Sequence, residues 1–268
     1  MDQKKKVLIV GAGSYIGMSF YNASKDMFDI TVVDAQKPLS VDQYRGFDSV
    51  LHLAGIAHVS KKRSMKELYY KVNRDLAIRS AESAREAGVK QFIFMSSMIV
   101  YGGDNSIGKP KIITNATAPH PADFYGDSKL QADMAIQKMA SPSFRTLVIR
   151  TPMVYGEGCR GNYPRLEKLA GKLFFLPKIQ NQRTMININV LISYFQKYIT
   201  QELSGVYFPR DDKPFNTYEM MLQTRQNQGR KTRPTVIFNP LIRFASLFVP
   251  AFRKMYGTKI YADDLPKD

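Results

Sequence analysis

The most restrictive feature of this chain is its opening. Four apolar residues, Val7–Val10, run directly into GAGSYIG, Gly11–Gly17. An apolar, β-branched run too short for a helix reads as a strand, and glycines immediately after it read as a tight turn that opens a helix. The same alternation recurs along the first half. ITVVD (Ile30–Asp34), SVLHLA (Ser49–Ala54), QFIFMSS (Gln91–Ser97) and TLVIR (Thr146–Arg150) are further strand-like runs. Helical patterns lie between them. In the clearest, Val72, Leu76, Ile78, Ala81 and Ala84 make a mostly apolar face and Gly88 ends the helix. Strands alternating with helices predict a parallel sheet covered on both faces, an α/β fold.

The glycines make that expectation more specific. Gly11 allows the tight turn, Gly13 lets backbone approach a pyrophosphate, and Gly17 lets helix and strand pack closely. Ser14, Tyr15 and Ile16 belong to the same turn, where helix N–H groups face a phosphate. Asp34 follows about twenty residues after Gly13 at the end of the second strand, where a carboxylate accepts both hydroxyls of an adenosine ribose. It also repels a 2′-phosphate, which favours NAD over NADP; Lys37 blunts that preference. The predicted architecture is a Rossmann-type, doubly wound parallel sheet. Residues 1–150 read as the NAD-binding domain. Residues 151–268, richer in glycine and proline, read as a smaller, mixed substrate-binding lobe interleaved with the sheet.

Composition removes several classes. Of 268 residues 44% are hydrophobic, which excludes wholesale disorder. The single cysteine, Cys159, excludes an internal disulfide framework and a Cys-rich metal site, and fits a cytoplasmic protein. His52, His58 and His120 lack metal-site spacing and read as structural or loop residues, so no metal is expected. The basic, glycine-broken start is a poor signal peptide. Asn239, Pro240, Arg243 and Pro250 interrupt the apolar run Thr235–Phe252, which argues against a membrane span.

Several motifs now stand in order: GAGSYIG, Asp34, HLAGIAH (His52–His58), VNRDLA (Val72–Ala77), FIFMSSMIVYG (Phe92–Gly102), FYGDSKLQAD (Phe124–Asp133) and IRTPMVYGEGCRGNYPRL (Ile149–Leu166). Together they resemble the extended short-chain dehydrogenase/reductases, and within them the NAD-dependent epimerase/dehydratase family acting on nucleotide sugars. The resemblance implies turn positions at Gly11, Ser14 and Gly17, with serine where the family usually has glycine. It places Leu53, Ala54 and Gly55 along the cofactor groove and gives Asn73 the task of supporting the active-site strand. It also implies a homodimer formed through helices that include the Tyr125–Lys129 helix.

Tyr125-Gly-Asp-Ser-Lys129 sets a phenol and an ammonium one helical turn apart on one face. A cation beside a phenol favours the phenolate, so this spacing predicts a tyrosine base that works nearer neutrality. The resemblance makes Ser97 the catalytic serine, with Ser96 as the alternative, and completes a Ser97–Tyr125–Lys129 triad contacting both substrate and cofactor. It also gives Asn162 and Arg183 to the diphosphate of a UDP-linked sugar, Arg183 by bidentate bonding. Tyr101 and Gly102 would shape the sugar pocket. The implied reaction is an NAD-dependent 4-epimerisation of a nucleotide sugar. A nucleotide-4-ketosugar reductase using NAD(P)H shares the same triad. A catalytically silent NAD-binding regulator should lack the tyrosine or the lysine. Dehydration is disfavoured because Met98-Ile99 stands where a dehydratase usually carries an acidic pair.

The formal charge of +16 is not explained by two pyrophosphates. Its densest stretch, Met220–Ala262, carries Arg225, Arg230, Lys231, Arg233, Arg243, Arg253, Lys254 and Lys259 and no acid. Within it Ile237, Leu241, Ile242, Ala245, Phe248 and Val249 recur at roughly helical spacing. Two readings follow: a peripheral membrane surface, or a stripe packed on the C-terminal lobe with its charges in solvent. No nucleic-acid reader module accompanies the charge, so a nucleic-acid partner is not expected.

Overall fold

A computed structural model describes residues 3–35, 39–57, 63–159 and 161–267. In chain order the first half runs β1 (Lys6–Val10), α1 (Tyr15–Ser24), β2 (Asp29–Val33), β3 (Ser49–His52), α2 (Lys66–Tyr69), α3 (Leu76–Glu86), β4 (Gln91–Ser97), β5 (Lys111–Ile113), α4 (Phe124–Gln137) and β6 (Arg145–Thr151). The second half runs β7 (Met153–Tyr155), α5 (Asn162–Lys172), β8 (Leu176–Pro177), β9 (Met185–Asn187), α6 (Ile188–Thr200) and β10 (Gly205–Tyr207). It ends with α7 (Thr217–Asn227), β11 (Pro234–Thr235), α8 (Asn239–Ala245), α9 (Pro250–Tyr256) and β12 (Lys259–Tyr261).

Six strands form one parallel sheet in the order β10-β6-β4-β3-β1-β2. The five strands expected from the sequence are all present. The sixth, β10, is too short to stand out as a pattern. Alternate residues of each strand serve opposite faces. Leu8, Val10, Val50, Phe92 and Phe94 pack with Ala77 and Ala81 of α3 and with Ala132 and Ile136 of α4. Val7, Ile9, Leu51, Ile93, Leu147 and Ile149 pack with Phe20 of α1 and with Leu191 and Phe195 of α6. The sheet is therefore doubly wound, and residues beyond 150 supply both an edge strand and half the cover of one face.

The chain runs from β1 to the edge at β2, then returns to lay β3 on the other side of β1. A crevice opens at such a reversal, beyond the carboxyl ends of the two strands. The helix preceding β4 also departs from regularity. Tyr70–Asp75 forms a π-helical turn between α2 and α3, and its widened loop packs against α4.

The strands outside this sheet form two-stranded pieces, β5 of the first half with β12, β7 with β9 and β8 with β11. Leu166, Ala170, Leu176, Tyr218 and Met221 form their own small core. The apolar run after Thr235 is divided between α8 and α9, each with a proline in its first turn. Among the described residues, no helix is long and apolar enough to cross a membrane.

Candidate active site

The glycine turn sits at the crevice between β1 and β3. The Gly11 and Ala12 amides both donate to Val33 O at 2.9 Å, and the Leu53 and Ala54 amides both donate to Val10 O at 2.9 Å. The three strand ends are thus stitched together. Gly11 has φ +128°, and a Cβ there would lie 2.8 Å from the backbone nitrogen of Ala54, so only glycine fits. At Gly13, φ +74°, a Cβ would meet nothing within 4 Å. The turn is open on that side, as a group approaching the backbone requires. Ser14 caps α1 by accepting from the Gly17 amide at 3.1 Å. That capping explains a serine where the family usually has glycine. Leu53 borders Gly17, whose added Cβ would come 3.4 Å from Leu53 Cδ1. Tyr15 leaves the turn to donate to Glu157 O at 2.8 Å, tying α1 to the loop after β7. Asp34 is exposed just beyond β2. This cradle of open backbone, helix N-terminus and outlying carboxylate fits a dinucleotide. Lys37 and His58 lie outside the described residues.

Gly55 closes the floor of the crevice. A Cβ there would come 3.0 Å from Asn73 Oδ1 and 3.2 Å from Lys129 Nζ. Asn73, fully buried, accepts from the Ile56 amide at 2.8 Å and donates to Ile56 O at 3.0 Å and Ser128 Oγ at 3.3 Å. It therefore pins the loop after β3 to α4, and does not support β4, the strand that carries the serines. The π-helical turn brings it there, along with Tyr70, which donates to Asp127 of α4.

Asp123 caps α4 through the Gly126 amide at 3.1 Å and starts the helix that carries Tyr125 and Lys129. The two serines of β4 diverge, as neighbours on a strand must. Ser97 bonds with Tyr125, and its Oγ also accepts from the Ile99 amide at 3.3 Å. Ser96 points into the core and donates to Asp133 at 2.7 Å. Ser97, not Ser96, is thus the serine brought to the tyrosine. Lys129 donates to Met95 O at 2.9 Å and lies 4.7 Å over the ring of Phe94. Burial lowers its ammonium to about 8, with Asp133 opposing.

One expectation is corrected here. The tyrosine does not come toward neutrality: burial pushes its phenol up to about 12, and the bond with Ser97 pulls the other way. Desolvation penalises the phenolate, while Lys129 spends its hydrogen bond on Met95.

Behind the triad lies a buried polar network that motif reading left unremarked. Arg150 grips Asp133 with two bonds of 3.0 Å and donates to Tyr101 Oη at 2.7 Å; Tyr261 donates to Arg150 O at 2.7 Å. Tyr101 is 3% exposed and held in this network, so it shapes no pocket. Gly102, φ +85°, would collide with His120 O if it carried a Cβ. The available signal was Asp133 one turn beyond Lys129, with Arg150 ending its strand.

Past β4 the surroundings turn positive. Lys259, 5% exposed, donates to Gly102 O at 2.7 Å, and burial lowers its ammonium to about 8. Lys111 donates to Tyr101 O, and burial lowers it as well. Arg183 bonds Asp104 at 3.0 Å and Gly257 O at 3.0 Å, so its guanidinium is already committed within the protein. Three cations thus surround one carboxylate. Lys111 and Lys259 became visible only when β5 paired with β12. Asn162 begins α5, whose Tyr163 ring lies tilted 5.2 Å from that of Tyr155. Cys159 is free and partly buried, and His120 is an exposed loop residue. His52 is fully buried between Phe92 and Phe94, and neither ring nitrogen has a partner. Among the described residues no three His, Cys, Asp or Glu side chains group as metal ligands.

Residues 3–173 match the NAD dependent epimerase/dehydratase family. A UDP-glucose 4-epimerase of Vibrio cholerae is 33% identical over 64% of this chain, which spans about half, 54%, of that protein's length. An N-acetyl-alpha-D-glucosaminyl-diphospho-ditrans,octacis-undecaprenol 4-epimerase of Escherichia coli O157:H7 is 26% identical over 94% of this chain and 81% of its own. The fold is shared with MoeE5, solved with UDP-glucose and NAD, at a TM-score of 0.71 and 20% identity over 96% and 89% of the two chains. It is shared equally with a dTDP-4-dehydrorhamnose reductase of Clostridium acetobutylicum, TM-score 0.70, 21% identity, over 86% and 83%.

Proposed function

Because this chain belongs to the NAD-dependent epimerase/dehydratase family, we propose that it is a 4-epimerase of a diphosphate-linked hexose or N-acetylhexosamine. The observation that carries the reading is the bond between Ser97 and Tyr125, with Lys129 one turn on and against Gly55 of a crevice that fits NAD. Gly11, Gly13, the first turn of α1, Asp34 and Gly55 would hold the cofactor. NAD, when bound, supplies reversible removal and return of hydride at a sugar carbon. Tyr125 takes the proton from the C4 hydroxyl as the carbon is oxidised and gives it back to the ketone oxygen after the sugar has turned over. Ser97 bonds that same oxygen in both steps and steadies the phenolate. Lys129, whose ammonium burial lowers to about 8, stands on the floor of the crevice against Gly55. Lys111 and Lys259 leave the surroundings past β4 positive, while Arg183, held by Asp104 and Gly257 O, would have to exchange those bonds to reach a diphosphate; Asn162 stands at the start of α5.

The diphosphate is UDP, as in the Vibrio relative's name. A second reading, a polyprenyl-diphosphate sugar, is favoured by the relative matching 94% of this chain, whose name specifies such a substrate. Incubation with UDP-linked and polyprenyl-diphosphate-linked N-acetylhexosamines, followed by NMR, separates the two. Epimer formation without net change in NADH supports the proposal. Turnover of a 4-ketosugar alone, with stoichiometric NADH loss, replaces it with a ketoreductase. Tyr125→Phe should still bind NAD but lose about 10²–10⁴ in kcat; full activity in that variant defeats the assignment.

A further inference from the structure

The apolar run after Thr235 does not pack on the C-terminal lobe. Sixteen large apolar side chains are exposed among the described residues, and ten of them fall in 174–175 and 236–249. Ile237 is 80% exposed, Phe248 70% and Leu241 66%. Pairing of β8 with β11 brings the two segments together, so that Phe175 lies 6.1 Å from Phe238. The exposed apolar side chains therefore gather between the end of α5 and β8, after β11, and along α8 and the turn that follows it. A monomer rarely leaves such a patch in water without a use for it.

The charges around it specify the partner. Three of the eight basic side chains in 220–262 bond backbone carbonyls of the fold: Arg225 serves Ala170 O and Leu173 O, Arg230 serves Gly171 O, and Lys259 serves Gly102 O. Arg230, Lys231, Arg233, Arg243 and Lys254 are exposed, as are Lys172 and Lys178 beside β8. Arg233 lies 5.0 Å over the ring of Phe174. The segment 220–262 contains no acid to neutralise them. An apolar surface rimmed by cations complements a bilayer whose headgroups are anionic and whose interior begins just below them. A second copy of this chain would instead set these cations against their own kind.

We propose that this surface docks the protein in the plane of an anionic membrane, with α8, the Leu247–Val249 turn after it and the Phe174–Phe175 turn entering the headgroup layer. The end of α8 is tied to the loop beyond the catalytic strand, with the Ile107 amide donating to Ser246 Oγ at 3.2 Å. This proposal does not depend on the epimerase reading, because its test contains no sugar.

The full chain is sedimented with vesicles of phosphatidylcholine alone and with an equimolar mixture of phosphatidylcholine and phosphatidylglycerol. Binding should require phosphatidylglycerol and weaken with salt, as surface cations are screened. The double variant Ile237→Asp/Phe248→Asp should lose at least about tenfold in partitioning. Arg233→Glu/Arg243→Glu should lose roughly fivefold or more per position. All four sites are exposed, so the variants should keep the wild-type melting temperature, checked by circular dichroism. No binding to mixed vesicles at low salt overturns the proposal, as does equal binding to both lipids. A soluble oligomer that the Asp variants dissociate, with no vesicle binding, overturns it in favour of a second copy.

Discussion

At the scale of single residues, the site is built from groups held away from their ordinary ionisation. His52 is the sharpest case. Burial lowers its imidazole to about 3, and Lys129 adds to the effect. The unfolded chain takes up a proton near 6.5, so the folded state binds fewer protons between about 3 and 6.5. Stability is then fully present above 6.5 and is lost as pH falls through that window, by about 1.4 kcal/mol per pH unit. Between pH 7 and pH 5 the loss from this residue is about 2 kcal/mol. His52→Leu, apolar and of similar volume, should flatten that dependence. It should match or exceed wild type at pH 7, since two unpartnered nitrogens leave the core. Urea unfolding at both pH values measures the difference; an unchanged slope in the variant refutes it. His52 was legible as structural from its lack of metal-like spacing. Its neutrality depends on Phe92, Phe94 and Lys129, which the fold brings from β4 and α4.

At the scale of elements, the glycine turn separates two requirements that a motif runs together. Gly11 needs its positive φ and also sits against the backbone of Ala54, whereas Gly13 needs only its φ. Gly11→Ala should therefore push β1 and β3 apart, lowering melting temperature and NAD affinity together. Gly13→Ala should cost about 1–2 kcal/mol of backbone strain and leave the core packed. Differential scanning calorimetry with NAD titration distinguishes the two; equal destabilisation would show that the contact with Ala54 does not matter. The strands and the Tyr125–Lys129 helix were readable because each carries its own periodicity or spacing. The π-helical turn was not, because Val72–Glu86 shows an ordinary apolar helical face. Only the partners of Asn73 in Ile56 and Ser128 explain why the backbone widens there. Lys111 and Lys259 were equally hidden, since their meeting depends on the pairing of two three-residue strands.

At the scale of the molecule, the sheet is a joint product of both halves. The face made by Val7, Ile9, Leu51, Ile93, Leu147 and Ile149 is covered by α1 and by α6, which lies beyond residue 150. A fragment ending at Thr151 should thus retain helical signal yet expose apolar surface, with raised dye binding and lost near-ultraviolet dichroism. A fragment with native near-ultraviolet dichroism would show that α6 is dispensable. The excess of positive charge, diffuse in the composition, has a location in the fold. Part of it braces the lobe and surrounds Asp104, and the rest rims an apolar surface.

The same interleaving has a consequence in time. Synthesis proceeds from the N-terminus, so Ile149 emerges from the ribosome ahead of Ile188, where α6 begins. At about 5–20 residues per second, that interval lasts roughly 2–8 s. For those seconds the nascent chain carries a half-covered sheet, a substrate for chaperones before it can be a scaffold for chemistry.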